Sequence, residues 1–295
     1  MAGRQSEGLG FTNVCRVDSM ADLLRLHELQ PTRYPHLLQS ALTGTPQSRF
    51  DILFAFPGSS VESHPSDSQP FLSVLDQGWA ESRIPKPIDA SLERLPFRGG
   101  WFIYLGYELA NEIEPSLDLP GFDLGLPTAF MTRFPAAIIR DHEQQCLWLV
   151  SEDGSHLDDM DSDLRLLGPE LDTTADASTS RLGDDLEEDE PSAYLQGVSK
   201  IRDYIRDGDV FQVNLARRWW VRIDQRIKHS RVFRSLRQHN PAPFSALVTA
   251  GERAIISSSP ERLVEVKDGL AITRPIAGTR PRGADGGGEP SVSDE

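Results

Sequence analysis

Ser257-Ser258-Ser259-Pro260-Glu261-Arg262, followed by Thr273-Arg274-Pro275-Ile276-Ala277-Gly278-Thr279-Arg280-Pro281-Arg282-Gly283, carries more information than any other part of this chain. Between the two segments lie strand-like stretches at 263–266 and 270–273, joined by Asp268-Gly269, a pair suited to a tight hairpin turn. Glu261 therefore stands one hairpin before the Pro-Ile-Ala-Gly-Thr run. Gly278-Thr279 offers a backbone that a ligand can approach closely, plus a hydroxyl. Arg274, Arg280 and Arg282 supply guanidinium groups whose fork matches a carboxylate. Taken as residue types alone, three arginines near a strand end more often form a solvated rim. Glu261, placed after Pro260, is then an ordinary surface carboxylate following a turn.

Upstream, Phe211, Val213, Leu215, Trp219, Val221 and Ile223 alternate with Gln212, Asn214, Arg218 and Arg222, the period of one long strand with an apolar face over 211–223. A helix over 192–206 precedes it, with Tyr194, Leu195, Val198, Ile201 and Ile205 at helical spacing, Pro191 in the first turn and Gly208 at its end. A polar helix is expected over 230–239, and strands over 244–249 and 254–258. In the first half, Leu23, Leu24, Leu26 and Leu29 make 21–30 a short amphipathic helix, and 50–56, 101–109, 136–140 and 146–151 read as strands.

From 158 to 190 the chain turns acidic, Ser/Thr-rich and nearly free of aromatics, too poor in apolar surface to offset the entropy of ordering. A mobile linker is expected there, in which Leu164, Leu166 and Leu167 anchor at most one helical turn. The resulting division is an N-terminal domain over 1–157, a linker over 158–190, a second domain over 191–283 and a loose end over 284–295. Strands joined mostly by turns, without regular crossover helices, favour an α+β fold over a doubly wound sheet.

A length of 295 residues with 38% hydrophobic content suffices for one large core or two modest ones. The formal net charge of -15 argues against a nucleic-acid backbone as the main partner, and an anionic substrate would need a local basic pocket. Cys15 and Cys146 alone provide neither a disulfide framework nor a cysteine-rich metal site. No signal-like start or membrane-length apolar run occurs, so a soluble, cytoplasmic protein is expected.

The Glu261 segment, the Pro275-to-Gly283 run and Gly208-Asp209-Val210-Phe211-Gln212-Val213-Asn214-Leu215 together closely resemble the chorismate-utilising enzymes, which include anthranilate, aminodeoxychorismate, isochorismate and salicylate synthases. His36-Leu37-Leu38-Gln39-Ser40, Pro46-Gln47-Ser48-Arg49-Phe50-Asp51-Ile52-Leu53 and Pro243-Phe244-Ser245-Ala246 are more similar to the aminodeoxychorismate synthase component I branch. The resemblance implies a sandwich of large antiparallel sheets with peripheral helices. It also implies amination of chorismate with magnesium, using ammonia from a separate glutamine amidotransferase subunit, toward 4-aminobenzoate and folate. By the same resemblance Glu261 is a general acid or base near the departing ring hydroxyl, and Gly278 and Thr279 bind chorismate. Ser40, Gln47, Ser48, Arg49, Phe50, Pro243, Phe244 and Ser245 then form a tryptophan pocket, whereas without it Phe50 and Phe244 are simply core.

Two departures qualify that picture. Ala277 stands where many aminodeoxychorismate synthases place a lysine that attacks the ring, and an alanine is no nucleophile, which keeps anthranilate synthase component I as the alternative. The family continues with a magnesium-binding carboxylate helix, a catalytic histidine, a substrate arginine and a second magnesium glutamate, none of which is found after Gly283. By the resemblance, the metal ligands belong beyond Glu295, and no residue of this chain is expected to bind the metal. The expectation is a C-terminally truncated chain, inactive by itself and retaining tryptophan or partner binding.

Overall fold

Short strands that are apolar on both faces are stable only in a sheet covered on both sides. The computed structural model describes residues 5–8, 13–42, 48–64, 67–82, 94–117, 119, 125–168 and 183–276. The chain begins with strands β1 (Gln5–Gly8) and β2 (Asn13–Val17), helix α1 (Leu23–Leu29), and strands β3 (His36–Gln39), β4 (Phe50–Ala55) and β5 (Ser60–Ser63). Helix α2 (Phe71–Glu81), strand β6 (Gly100–Leu105), the short helix α3 (Ala110–Ile113) and strands β7 (Ala129–Phe134), β8 (Ala136–Asp141) and β9 (Cys146–Ser151) follow. The later part holds α4 (Leu157–Leu166), β10 (Gly183–Glu188), α5 (Pro191–Asp207), β11 (Trp219–Ile223), α6 (His229–His239), β12 (Phe244–Ala250), β13 (Arg253–Ser259), β14 (Glu265–Lys267) and β15 (Leu270–Ile272).

An eight-stranded antiparallel sheet in the order β1-β2-β9-β8-β4-β3-β12-β13 forms the centre. Its register aligns Cys15, Leu149, Ile138, Leu53, Leu37, Leu247 and Ile256 in one row. That row packs under Leu23, Leu24 and Leu26 of α1, Leu157 and Met160 of α4, and Phe233 of α6. Each fully buried Leu or Phe contributes on the order of 2 kcal/mol. The neighbouring residues point the other way, where Phe54 and Val248 meet Phe102, Phe130 and Phe134 of a second, three-stranded sheet, β5-β7-β6. The architecture is an α+β sandwich with helices outside one face of the large sheet and the small sheet on the other. Strands from both sides of the 158–190 segment share the large sheet.

Two expectations are corrected. The 158–190 segment is not a linker at its start: α4 is a helix of ten residues with Leu157, Met160 and Asp163 buried, and 169–182 lie outside the described residues. Its apolar residues are few but fall on one helical stripe, and Asp163 receives hydrogen bonds from Gln30 Nε2, Arg33 and the Tyr34 hydroxyl, each at 2.7 Å. The long strand over 211–223 is present only as Trp219–Ile223. Alternation alone does not make a strand: Trp219–Ile223 pairs with β10, whereas Phe211 is 100% exposed and 211–218 enter no ladder among the described residues. The hairpin turn is as expected, with Asp268 and Gly269 both at positive φ (51° and 79°), and Gly208 closes α5 at φ 86°.

Two of the polar groups buried within this sandwich, Asp163 and His36, generate measurable consequences. Burial, then the Asp163 carboxylate, pushes the Tyr34 phenol far above its ordinary value. Asp163→Ala strands that hydroxyl and Arg33, and should lower stability to urea unfolding by about 2–4 kcal/mol. On the aromatic face, burial pushes His36, 4.4 Å from the Phe102 ring centroid, down to about 4. Its neutral form is thus favoured in the fold, so stability is full above about pH 6.5 and falls as pH drops toward 4, by up to about 3 kcal/mol. In urea titrations across that window, His36→Leu should show a shallower loss than the parent.

Candidate functional site

The pairing of β3 with β12 sets Ser245 opposite Gln39 and brings the ends of two distant segments together. The Ser40 hydroxyl lies 3.1 Å from the Phe50 carbonyl and 3.2 Å from the Pro243 carbonyl, and Ala41 N–H donates to the Ala242 carbonyl at 2.9 Å. Beyond this junction opens a cleft of about 430 Å³, lined by Arg49, Phe50, Phe244, Pro260, Glu261, Arg262, Glu265, Ile272, Arg274 and Ile276.

Arg49 is fixed before any ligand arrives. Its guanidinium binds Asp141 through Nε at 3.2 Å and a terminal nitrogen at 2.8 Å, reaches Glu143 at 2.9 Å, and lies 4.7 Å over the Phe50 ring. Burial alone would raise the Asp141 carboxyl, but Arg49 and the N–H groups of Gln144 and Glu143 outweigh it and hold Asp141 below the usual carboxylate range. On the opposite wall Arg262 lies 5.3 Å over the Phe244 ring and pairs with Glu265. The Glu261 turn is braced by the Ser259 hydroxyl, which donates to the Glu261 carbonyl at 2.9 Å. Two aromatic faces, three guanidinium groups and two carboxylates make a seat for a flat ligand bearing both charges.

Of the residues singled out in the sequence, Arg49, Phe50, Phe244 and Glu261 line this one cleft, whereas Ser40 and Pro243, which meet each other next to it, are not among its lining residues. Ser48 is buried. Ser245 turns away under the helices, donating to the Ala242 carbonyl at 3.2 Å. Gln47, Ala277, Gly278 and Thr279 lie outside the described residues, although Arg274 and Ile276 just before them reach the cleft. Glu295, beyond which the resemblance puts the metal ligands, lies outside the described residues as well. Glu265 and Ile272 were not singled out; they face each other across β14–β15, a pairing that the Asp268-Gly269 turn fixes.

A wider cavity, about 940 Å³, lies elsewhere, beside Tyr104, Glu108, Glu112, Thr128 and Arg253, and contains none of the expected residues. There Glu112 serves the fold, accepting from the N–H groups of Phe71 and Leu72 at 2.9 and 2.7 Å where α2 begins without a side-chain cap of its own. Among the described residues no group of three or more His, Cys, Asp or Glu is arranged to hold a metal ion. Cys15 and Cys146 are buried and not bonded in a disulfide, and no described helix is long and apolar enough to cross a membrane.

The family model of chorismate binding enzymes matches residues 39–289, which takes in every lining residue of the cleft. This chain belongs to the chorismate-binding enzyme family. It is 36% identical over 194 residues to aminodeoxychorismate synthase component 1 of Bacillus subtilis, covering 63% of this chain and 41% of that protein. It is 31% identical over 283 residues to anthranilate synthase component 1 of Thermus thermophilus, covering 89% and 57%. The fold matches the crystal structure of anthranilate synthase component I from Streptococcus pneumoniae with a TM-score of 0.58 at 23% identity, over 78% of this chain and 54% of that one. The chain spans about half the length of the curated relatives it matches.

Proposed function

We propose that this chain carries the part of an aminodeoxychorismate synthase component I that seats tryptophan and presents Glu261 to chorismate. The whole enzyme would replace the ring 4-hydroxyl of chorismate by ammonia, delivered by a glutamine amidotransferase subunit, on the route to 4-aminobenzoate and folate. The observation that carries this reading is the meeting, in one cleft, of Arg49, Phe50 and Phe244 with Glu261. Phe50 and Phe244 offer ring faces to an indole, Arg49 and Arg274 suit a carboxylate, and Glu265 suits an ammonium. Glu261 would give a proton to the departing hydroxyl as the carbon–nitrogen bond forms, so that water leaves. Magnesium, which the family resemblance brings, would neutralise substrate carboxylates.

Ala277 favours a second reading, anthranilate synthase component I, because direct addition of ammonia needs no lysine at that position. A third role, from another class, is binding without turnover: tryptophan or the amidotransferase subunit held by a non-catalytic chain.

In calorimetric titration, L-tryptophan should give saturable heat and raise the thermal midpoint, with Phe244→Ala and Arg49→Ala each weakening binding roughly tenfold. Absence of both heat and stabilisation would remove the tryptophan seat. Incubation with chorismate, magnesium and an ammonium salt, with chromatographic separation of products, distinguishes the remaining readings. Aminodeoxychorismate supports the proposal, anthranilate transfers the chain to the second reading, and unchanged chorismate beside intact tryptophan binding leaves the non-catalytic role.

A further inference from the structure

Asp51 does not line the cleft. It sits on β4 beside Phe50, turned under the helices and 0% exposed. Its carboxylate accepts from the Ser40 main-chain N–H at 2.8 Å, from Arg140 Nε at 2.7 Å and from Gln39 Nε2 at 3.4 Å. The His142 ring nitrogen Nε2 lies 3.0 Å from Oδ1, the same oxygen that accepts from Ser40. Gln39 in turn accepts from Arg237 of α6 at 3.0 Å, and Arg237 pairs with Asp22 at the start of α1. Burying a carboxylate is costly, and a buried ion pair is often replaceable by two apolar side chains without loss of stability. Leu53 and Ala55 on the same strand face show that apolar side chains suit this layer. What the carboxylate adds is direction: an acceptor aimed at the one N–H whose residue ties the Phe50 carbonyl to the Pro243 carbonyl.

We propose that Asp51 is a positioning residue for the cleft, its carboxylate fixing the Ser40 main chain and thereby the separation of the Arg49–Phe50 wall from the Pro243–Phe244 wall. The functional part rests on the tryptophan seat proposed above; the geometric part does not.

The test compares the parent with Asp51→Asn, Asp51→Ala and the pair Asp51→Leu/Arg140→Leu. Three quantities are read: thermal midpoint, hydrogen exchange of the amides at 40–42, 242 and 244–246, and L-tryptophan affinity by calorimetry. Asp51→Ala leaves Arg140 buried without its partner and should lower the midpoint. The double leucine variant should recover that midpoint while its Ser40 amide exchanges roughly tenfold faster and tryptophan binds roughly tenfold more weakly. Asp51→Asn, which keeps an acceptor oxygen, should hold Ser40 exchange and tryptophan affinity within about threefold of the parent. A double variant with parental exchange and affinity would show that Asp51 only stabilises, and so would overturn the proposal. If the double variant does not fold, Asp51→Asn decides: faster Ser40 exchange despite the retained acceptor rejects the proposal. A parent that does not bind tryptophan removes the seat, and the exchange comparison then still decides whether Asp51 positions the two walls.

Discussion

The cleft depends on one pairing, that of β3 with β12. The two strands come from opposite sides of the 158–190 segment, and the serine and proline they bring together are 203 positions apart. Closing so large a loop costs entropy that no single hydrogen bond offsets. The compensation is the apolar row across the large sheet, in which Leu37 and Leu247 continue a line already formed by Leu149, Ile138 and Leu53. A slip of one residue in β12 would turn Leu247 to the aromatic face and Phe244 under the helices. Register and site are therefore specified by the same residues.

Polar groups inside this sandwich fall at junctions between elements. Asp163 joins α4 to the end of α1, and Asp51 joins β3, β4 and β8. His36 lies among the aromatic rings between the sheets. The acidic composition thus conceals two kinds of carboxylate: those that solvate the surface, and a few that fix how helices and strands meet.

Much of the element list was legible. The sequence pattern places β9 at its observed limits, and β4, β8, α6, β12, β13 and the Asp268-Gly269 turn within a residue or two of theirs. These segments have strong periodicity or an unambiguous turn pair. β2 and β3 were not read as strands, because Asn13–Val17 and His36–Gln39 are short and carry Asn, Arg, His and Gln. They are strands because neighbours on both sides complete their hydrogen bonds. The opposite error occurred at 211–218, where alternation was strong and a ladder was absent among the described residues.

By itself, the sequence determined the family and the residue types of the candidate site, since the Glu261 segment and the Pro275-to-Gly283 run are local patterns recorded in order along the chain. It also determined the α+β character, through the spacing of apolar residues. Only the tertiary structure decided that Arg49, Phe50, Phe244 and Glu261 share one cleft, that Ser245 faces away from it, and that Asp51 stands behind it. Those are statements about register and facing across strands far apart in the chain. They follow from how the large sheet buries both of its faces, a condition that no local pattern contains.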